Sequence, residues 1–268
     1  MDKNKGILIV GHGSPDKENE LAFISLVFKL KKKNPDHNIY YGFLEKSKPS
    51  IQEAFHKMVK TGIMEVFVIP WFLFNGVHIN HDIPYILKQL DKQNGEVKIY
   101  LGKPIGFCEE IIDLSEKLIL NENMKYRMED SCLLVAGIGS SLSEPNNVIG
   151  KLANILHARL EFKSTNYAYI SHVTKPNVPE MLDKLRIKGY KTIVVHPVLF
   201  FSGFYLKQLA NDIKPFHMQF NLKIIQTSSY GCHPLIIHVL ERNIYDTMHY
   251  RINILDDIPD TIKQRKSY

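Results

Sequence analysis

Cysteine is scarce in this 268-residue chain. Only Cys108, Cys132 and Cys232 occur, odd in number, widely spaced and never as a CxxC pair. Neither a disulfide framework nor a cysteine metal knuckle can be built from them, which points to a reducing, cytoplasmic setting. Long apolar runs are missing as well. The chain passes from Met1-Asp2-Lys3-Asn4-Lys5 straight into a short apolar segment, without the pattern of a signal peptide. The most apolar later stretch, residues 192–206, is interrupted by His196, Pro197 and Gly203 and is too short to span a bilayer. No membrane association is expected.

Three functional signatures are absent too. A dinucleotide fingerprint starting at Gly11 would need a sixth-position glycine, where Asp16 stands. No GxSxG elbow supplies a serine nucleophile. No basic, aromatic-interleaved strand offers a nucleic-acid platform, so no nucleic-acid partner is expected.

What is present is globular: 44% hydrophobic and 23% charged residues. Lys and Arg number 34 against 28 Asp and Glu, and the net charge of +6 favours acidic partners. Short apolar runs at residues 7–10, 38–44, 65–69 and 97–101 alternate with helix-length amphipathic segments at 17–33, after Pro49, and at 78–91 and 108–120. Lys31-Lys32-Lys33 closes the first of these, where cations complement the helix dipole. That alternation predicts an α/β fold with a parallel sheet covered on both faces.

After a polar linker at residues 121–130 the same order restarts. Gly11-His12-Gly13-Ser14 is matched by Gly137-Ile138-Gly139-Ser140, and Lys48-Pro49-Ser50-Ile51 by Lys175-Pro176-Asn177-Val178. Val68-Ile69-Pro70-Trp71-Phe72-Leu73-Phe74-Asn75-Gly76 is matched by Val195-His196-Pro197-Val198-Leu199-Phe200-Phe201-Ser202-Gly203. The offset is 126 from Gly11 to Gly137, and 127 both from Pro49 to Pro176 and from Gly76 to Gly203. Ordered landmarks at a near-constant offset predict an internal duplication: two tandem similar domains, residues 1–125 and 126–268.

The duplication is an internal control. Gly11, Gly13 and Ser14 recur, as a tight strand-to-helix turn requires. His12, Glu45 and His78 do not, being replaced by Ile138, His172 and Tyr205. All three fall past carboxyl ends of expected parallel strands, the edge at which such sheets bind ligands. Two imidazoles and a carboxylate suit Fe, Co, Ni or Zn better than Mg or Ca. The plainer alternative is a turn-capping His12, a solvated Glu45 and a helix-capping His78. His81 and Asp82 share a helix face with His78, as supporting partners or as solvated residues. The remaining histidines, including His172, His196 and His233, are read as structural.

Leu8-Ile9-Val10-Gly11-His12-Gly13-Ser14, Phe43-Leu44-Glu45 with Pro49-Ser50-Ile51, and the run from Pro70 through His78 to Pro84 together resemble the class II chelatases. More narrowly, they resemble the sirohydrochlorin cobaltochelatase and ferrochelatase family, in its long, two-domain form. The resemblance implies a chelatase-like fold with a tetrapyrrole in the cleft between the halves. It also implies ATP-independent insertion of Co2+ or Fe2+, or else Ni2+, into sirohydrochlorin in cobalamin or sirohaem synthesis. His12 and His78 match the family's metal-binding histidines and Glu45 its acidic residue. Asn80-His81 departs from the basic residues that members often carry there. No cofactor beyond the substrate metal is implied. On this reading His12, Glu45 and His78 are catalytic and hold the metal. Ser14 and Ser140 would meet acidic groups of the macrocycle, Phe74 with Trp71 would line its face, and Gly76 would permit close approach. A non-catalytic tetrapyrrole or metal carrier is the alternative.

Overall fold

The computed structural model describes residues 3–122, 125–201, 203–259 and 262. Ser202 of the third landmark, together with Asn123 and Met124 of the linker, lies outside the described residues.

Near-continuous apolar runs become strands buried on both faces. In β1 (Lys5–Gly11) residues Ile7, Leu8, Ile9 and Val10 are all fully buried. With β2 (Ile39–Phe43), β3 (Glu65–Pro70) and β4 (Lys98–Leu101) it forms an all-parallel sheet in the order β2-β1-β3-β4. The helices of this half are α1 (Lys17–Lys33), α2 (Ile51–Lys60) and α3 (Ile83–Gln93), with α4 (Glu109–Leu120) following β4.

The second half repeats the plan. Strands β5 (Cys132–Gly137), β6 (Ser164–Tyr169), β7 (Thr192–Pro197) and β8 (Lys223–Gln226) form a parallel sheet in the order β6-β5-β7-β8. Helices α5 (Ser143–Arg159), α6 (Val178–Ile187) and α7 (Phe204–Phe220) accompany it, with α8 (Pro234–His249) following β8 in the chain. The two strand orders are the same once each strand is matched to its counterpart, as duplication requires. No described helix is long and apolar enough to cross a membrane.

Pro49 and Pro176 stand just ahead of α2 and α6. Each sits one residue before an N-cap, Ser50 or Asn177, whose side chain accepts from the backbone N–H three residues on while Glu53 or Glu180 reaches back. These capping boxes, each worth about 1 kcal/mol, set the helix starts. The compact units do not follow the 125/126 division: one comprises residues 1–106 with 234–268, the other residues 107–233. The last helix of each repeat belongs to the other unit. In the second unit α4 is held by Ser115, whose hydroxyl lies 2.8 Å from that of Tyr230, both buried. Arg159 of α5 also binds Glu109, Asp113 and Glu116 along α4. In the first unit Asn243 of α8 donates to the Pro104 carbonyl (2.9 Å), and buried Thr247 packs on Gly102 so closely that a Cβ there would lie 2.3 Å from its hydroxyl. Hydrophobic alternation along a chain reports that a helix has a buried face, not which sheet covers it.

Candidate metal site

The carboxyl edge of the first sheet carries the three residues singled out in sequence. His12 follows the end of β1, Glu45 lies in the bend after β2, and His78 comes eight residues after β3 ends. The loop after β1 is locked to the loop after β2. Glu45 N donates to the His12 carbonyl (3.0 Å) and Leu44 N to that of Gly11 (2.9 Å). Gly13 has φ +89°, and a Cβ on it would lie 1.7 Å from the Glu45 carbonyl oxygen, so only glycine fits. Its counterpart Gly139 has φ +92°. The shared turn is therefore structural in both repeats.

His78 reaches the site on a single π-helical turn, His78–Asp82, where Ile83 N–H donates to the His78 carbonyl. Such turns are rare and concentrate at functional positions. The sequence periodicity predicted an ordinary helix from residue 78. The wider turn instead precedes α3.

His12 and His78 face each other with their Nε2 atoms 3.1 Å apart and ring planes at 84°. The other nitrogen of each ring points at an acceptor: Nδ1 of His12 donates to the Gly13 carbonyl (3.0 Å), and Nδ1 of His78 to Asp82 Oδ2 (2.7 Å). With both protons on Nδ1, two Nε2 lone pairs converge, an arrangement that a cation between them stabilises. At metal–imidazole distances of about 2.0–2.1 Å, 3.1 Å between nitrogens subtends about 100° at an ion, the angle of neighbouring ligands. Burial lowers the His12 pKa below its ordinary value. The adjacent His78 acts in the same direction, while the Gly13 carbonyl and Glu45 oppose it. The imidazole is thereby held neutral, the form that binds metals.

Glu45 is placed differently from the expected third ligand. Its Oε1 lies 3.5 Å from Nδ1 of His12, not beside Nε2, and 3.5 Å from Lys46 Nζ. Among the described residues no group of three or more His, Cys, Asp or Glu side chains is arranged to hold a metal ion. The facing imidazole pair is the core of the site.

The other expected positions divide. Ser14 lies in the same loop, but its N–H donates to Ser47 Oγ (3.1 Å), whose hydroxyl returns to the Ser14 carbonyl (3.2 Å). Ser14 Oγ accepts from Asp16 N, and Asp16, not Ser14, caps α1. Ser140, in the other unit, makes a matching turn: its N–H is bound by Asn146 and its Oγ accepts from Leu142 N. Neither backbone donor is left for a ligand. Trp71 is 5% exposed and belongs to the core, so it lines no ligand face. Phe74 is half-buried, and Gly76 starts the turn that carries His78, its carbonyl accepting from Ile79 and Asn80. The aromatic ring at the imidazole pair is Phe72, 6.1 Å from each histidine ring. It was missed because the Trp71–Phe74 run gives no sign of which ring turns inward. Ser47 was missed too, although Thr174 at the matching place was a signal. In the second repeat His172 is 56% exposed and pairs with Asp212 at 3.2 Å, and His196 is fully buried, in keeping with structural roles.

Tandem parallel sheets of the same strand order, with one imidazole pair at a carboxyl edge, define a duplicated α/β protein. The chain belongs to the CbiX family, which matches it over residues 6–122 and again over 132–247. It is 26% identical over 257 residues to the sirohydrochlorin ferrochelatase of Priestia megaterium, covering 96% of this chain and 95% of that one. It is 28% identical over 271 residues to the sirohydrochlorin cobaltochelatase of the same organism, covering 95% and 87%. Its fold matches that of SirB from Bacillus subtilis, solved with Fe3+, with a TM-score of 0.81 over 93% of this chain and 99% of that one at 23% identity.

Proposed function

We propose that this protein is a sirohydrochlorin chelatase, inserting Co2+ or Fe2+ into the macrocycle in cobalamin or sirohaem synthesis. The observation that carries the reading is the Nε2–Nε2 approach of His12 and His78 at 3.1 Å. It is supported by the two full-length relatives, one named for each metal.

Insertion has two requirements: the ion must shed water, and two pyrrole N–H protons must leave as the metal–nitrogen bonds form. His12 and His78 hold the ion through their Nε2 atoms and release it to the macrocycle nitrogens. Glu45, 43% exposed, beside Lys46 and on the Nδ1 side of His12, is the carboxylate that accepts one of the two protons, the other passing to water. Phe72 offers a flat apolar surface beside the pair. Phe74 and Gly76 stand on the same loop as substrate contacts, with the Ser14 and Ser140 hydroxyls as weaker candidates. We infer a cytoplasmic setting, with the macrocycle and the divalent ion as partners.

The test mixes purified protein with sirohydrochlorin and Co2+ or Fe2+ and follows the visible spectrum. Insertion faster than the uncatalysed rate, lost in His12→Ala and His78→Ala, is expected. Tight metal or macrocycle binding without acceleration would instead identify a carrier.

A further inference from the structure

Asp82 stands at the N-cap of α3, yet its side chain makes no capping hydrogen bond and its backbone is already helical, with φ −72° and ψ −46°. An aspartate at this place ordinarily serves the helix. Here both carboxylate oxygens are used elsewhere: Oδ2 accepts from Nδ1 of His78 at 2.7 Å and Oδ1 from Nδ1 of His81 at 3.2 Å. The carboxylate is about one-quarter exposed, so these bonds are partly shielded from water. The π-helical turn brings the three residues together, since His78, His81 and Asp82 all lie within its five residues.

We propose that Asp82 is the positioning residue of the metal site. By accepting the Nδ1 proton of His78 it fixes the tautomer whose bare Nε2 faces His12. With its second oxygen it tethers His81, so that neither ring turns freely. A histidine side chain in water prefers its proton on Nε2, the atom that here must carry the lone pair. A carboxylate on Nδ1 reverses that preference and raises the basicity of Nε2. His12 obtains the same tautomer from the Gly13 carbonyl, so the two rings are set by different acceptors. This role rests on the reading of His12 and His78 as the metal-holding pair.

The test uses the full-length chain with 15N-labelled histidine and Co2+ alone as probe. In the wild type the His78 ring nitrogens should show the Nδ1–H pattern before any metal is added. In Asp82→Ala that pattern should shift towards Nε2–H, and Co2+ affinity should fall roughly 10–100-fold. Asp82→Asn keeps an acceptor oxygen and should retain the Nδ1–H pattern with a smaller loss, which separates positioning from any folding defect of the alanine variant. Wild-type His78 protonated on Nε2, or an alanine variant that keeps both tautomer and affinity, would overturn the proposal. A wild type that binds no Co2+ would overturn the metal-holding reading and the role of Asp82 with it, whereas Co2+ binding that Asp82→Ala leaves unchanged would overturn the positioning role alone.

Discussion

Gly13 and Glu45 are in backbone contact so close that a methyl group on the glycine would lie 1.7 Å from the glutamate carbonyl oxygen. This contact, with the Glu45 N–H bond to the His12 carbonyl, holds the loop carrying His12 against the loop carrying Glu45. Gly13→Ala should therefore separate the loops. Both the positive φ and the clash act against it, so a loss of more than about 1 kcal/mol is expected, with weaker Co2+ binding in a titration. Gly76→Ala is the contrast, because a Cβ there meets nothing within 4 Å. Its thermal midpoint should not move, and a slower insertion rate in that variant would report a macrocycle passing over residue 76.

Removing either imidazole should be severe. His12→Ala and His78→Ala are each expected to weaken Co2+ binding at least about tenfold, measured by calorimetry on folded protein. The double variant should bind no more Co2+ than an unrelated protein. Full retention of affinity would mean that the facing pair is not the metal site.

Acidity should affect the site late. Because burial lowers the His12 pKa below 6.5, the ring stays neutral as pH falls through that value and charges only below it. The His12 ring should thus take up its proton only below pH 6.5. Its 15N shifts followed from pH 8 to 5 in histidine-labelled protein would show this; a midpoint above 6.5 would contradict it.

His196 makes a stability prediction for the second unit. It is fully buried, its Nδ1 lies 2.8 Å from Thr227 Oγ1, and burial pushes its pKa down to about 3. The folded ring is neutral while the unfolded ring takes up a proton below about pH 6.5. Stability is therefore complete above the unfolded pKa and falls as pH drops from 6.5 towards 3, by up to about 1.4 kcal/mol per pH unit. His196→Gln should flatten that slope relative to wild type in urea unfolding. An unchanged slope would place the acid sensitivity elsewhere.

Much of this could be read from the chain. The strands are legible because parallel strands buried on both faces must be apolar throughout, as at residues 7–10, and the duplication because matched turns need the same glycines. His12, Glu45 and His78 are legible as a set because the second repeat keeps the fold and drops all three. Other features were beyond a linear pattern. Whether Glu45 faces Nε2 or Nδ1 of His12, and that Phe72 and not Trp71 turns towards the imidazoles, depend on rotamers set in the folded chain. The exchange of α4 and α8 is of the same kind, whereas the pairing of Asp82 with His78 was legible from their spacing. By itself the sequence determined two α/β repeats and one set of residues, His12, Glu45 and His78, that the second repeat does not match, because periodicity and repetition are properties of a chain. Tertiary structure alone decided which helix covers which sheet and which nitrogen faces which. Those outcomes turn on packing and hydrogen-bond direction between residues tens of positions apart, which no local pattern encodes.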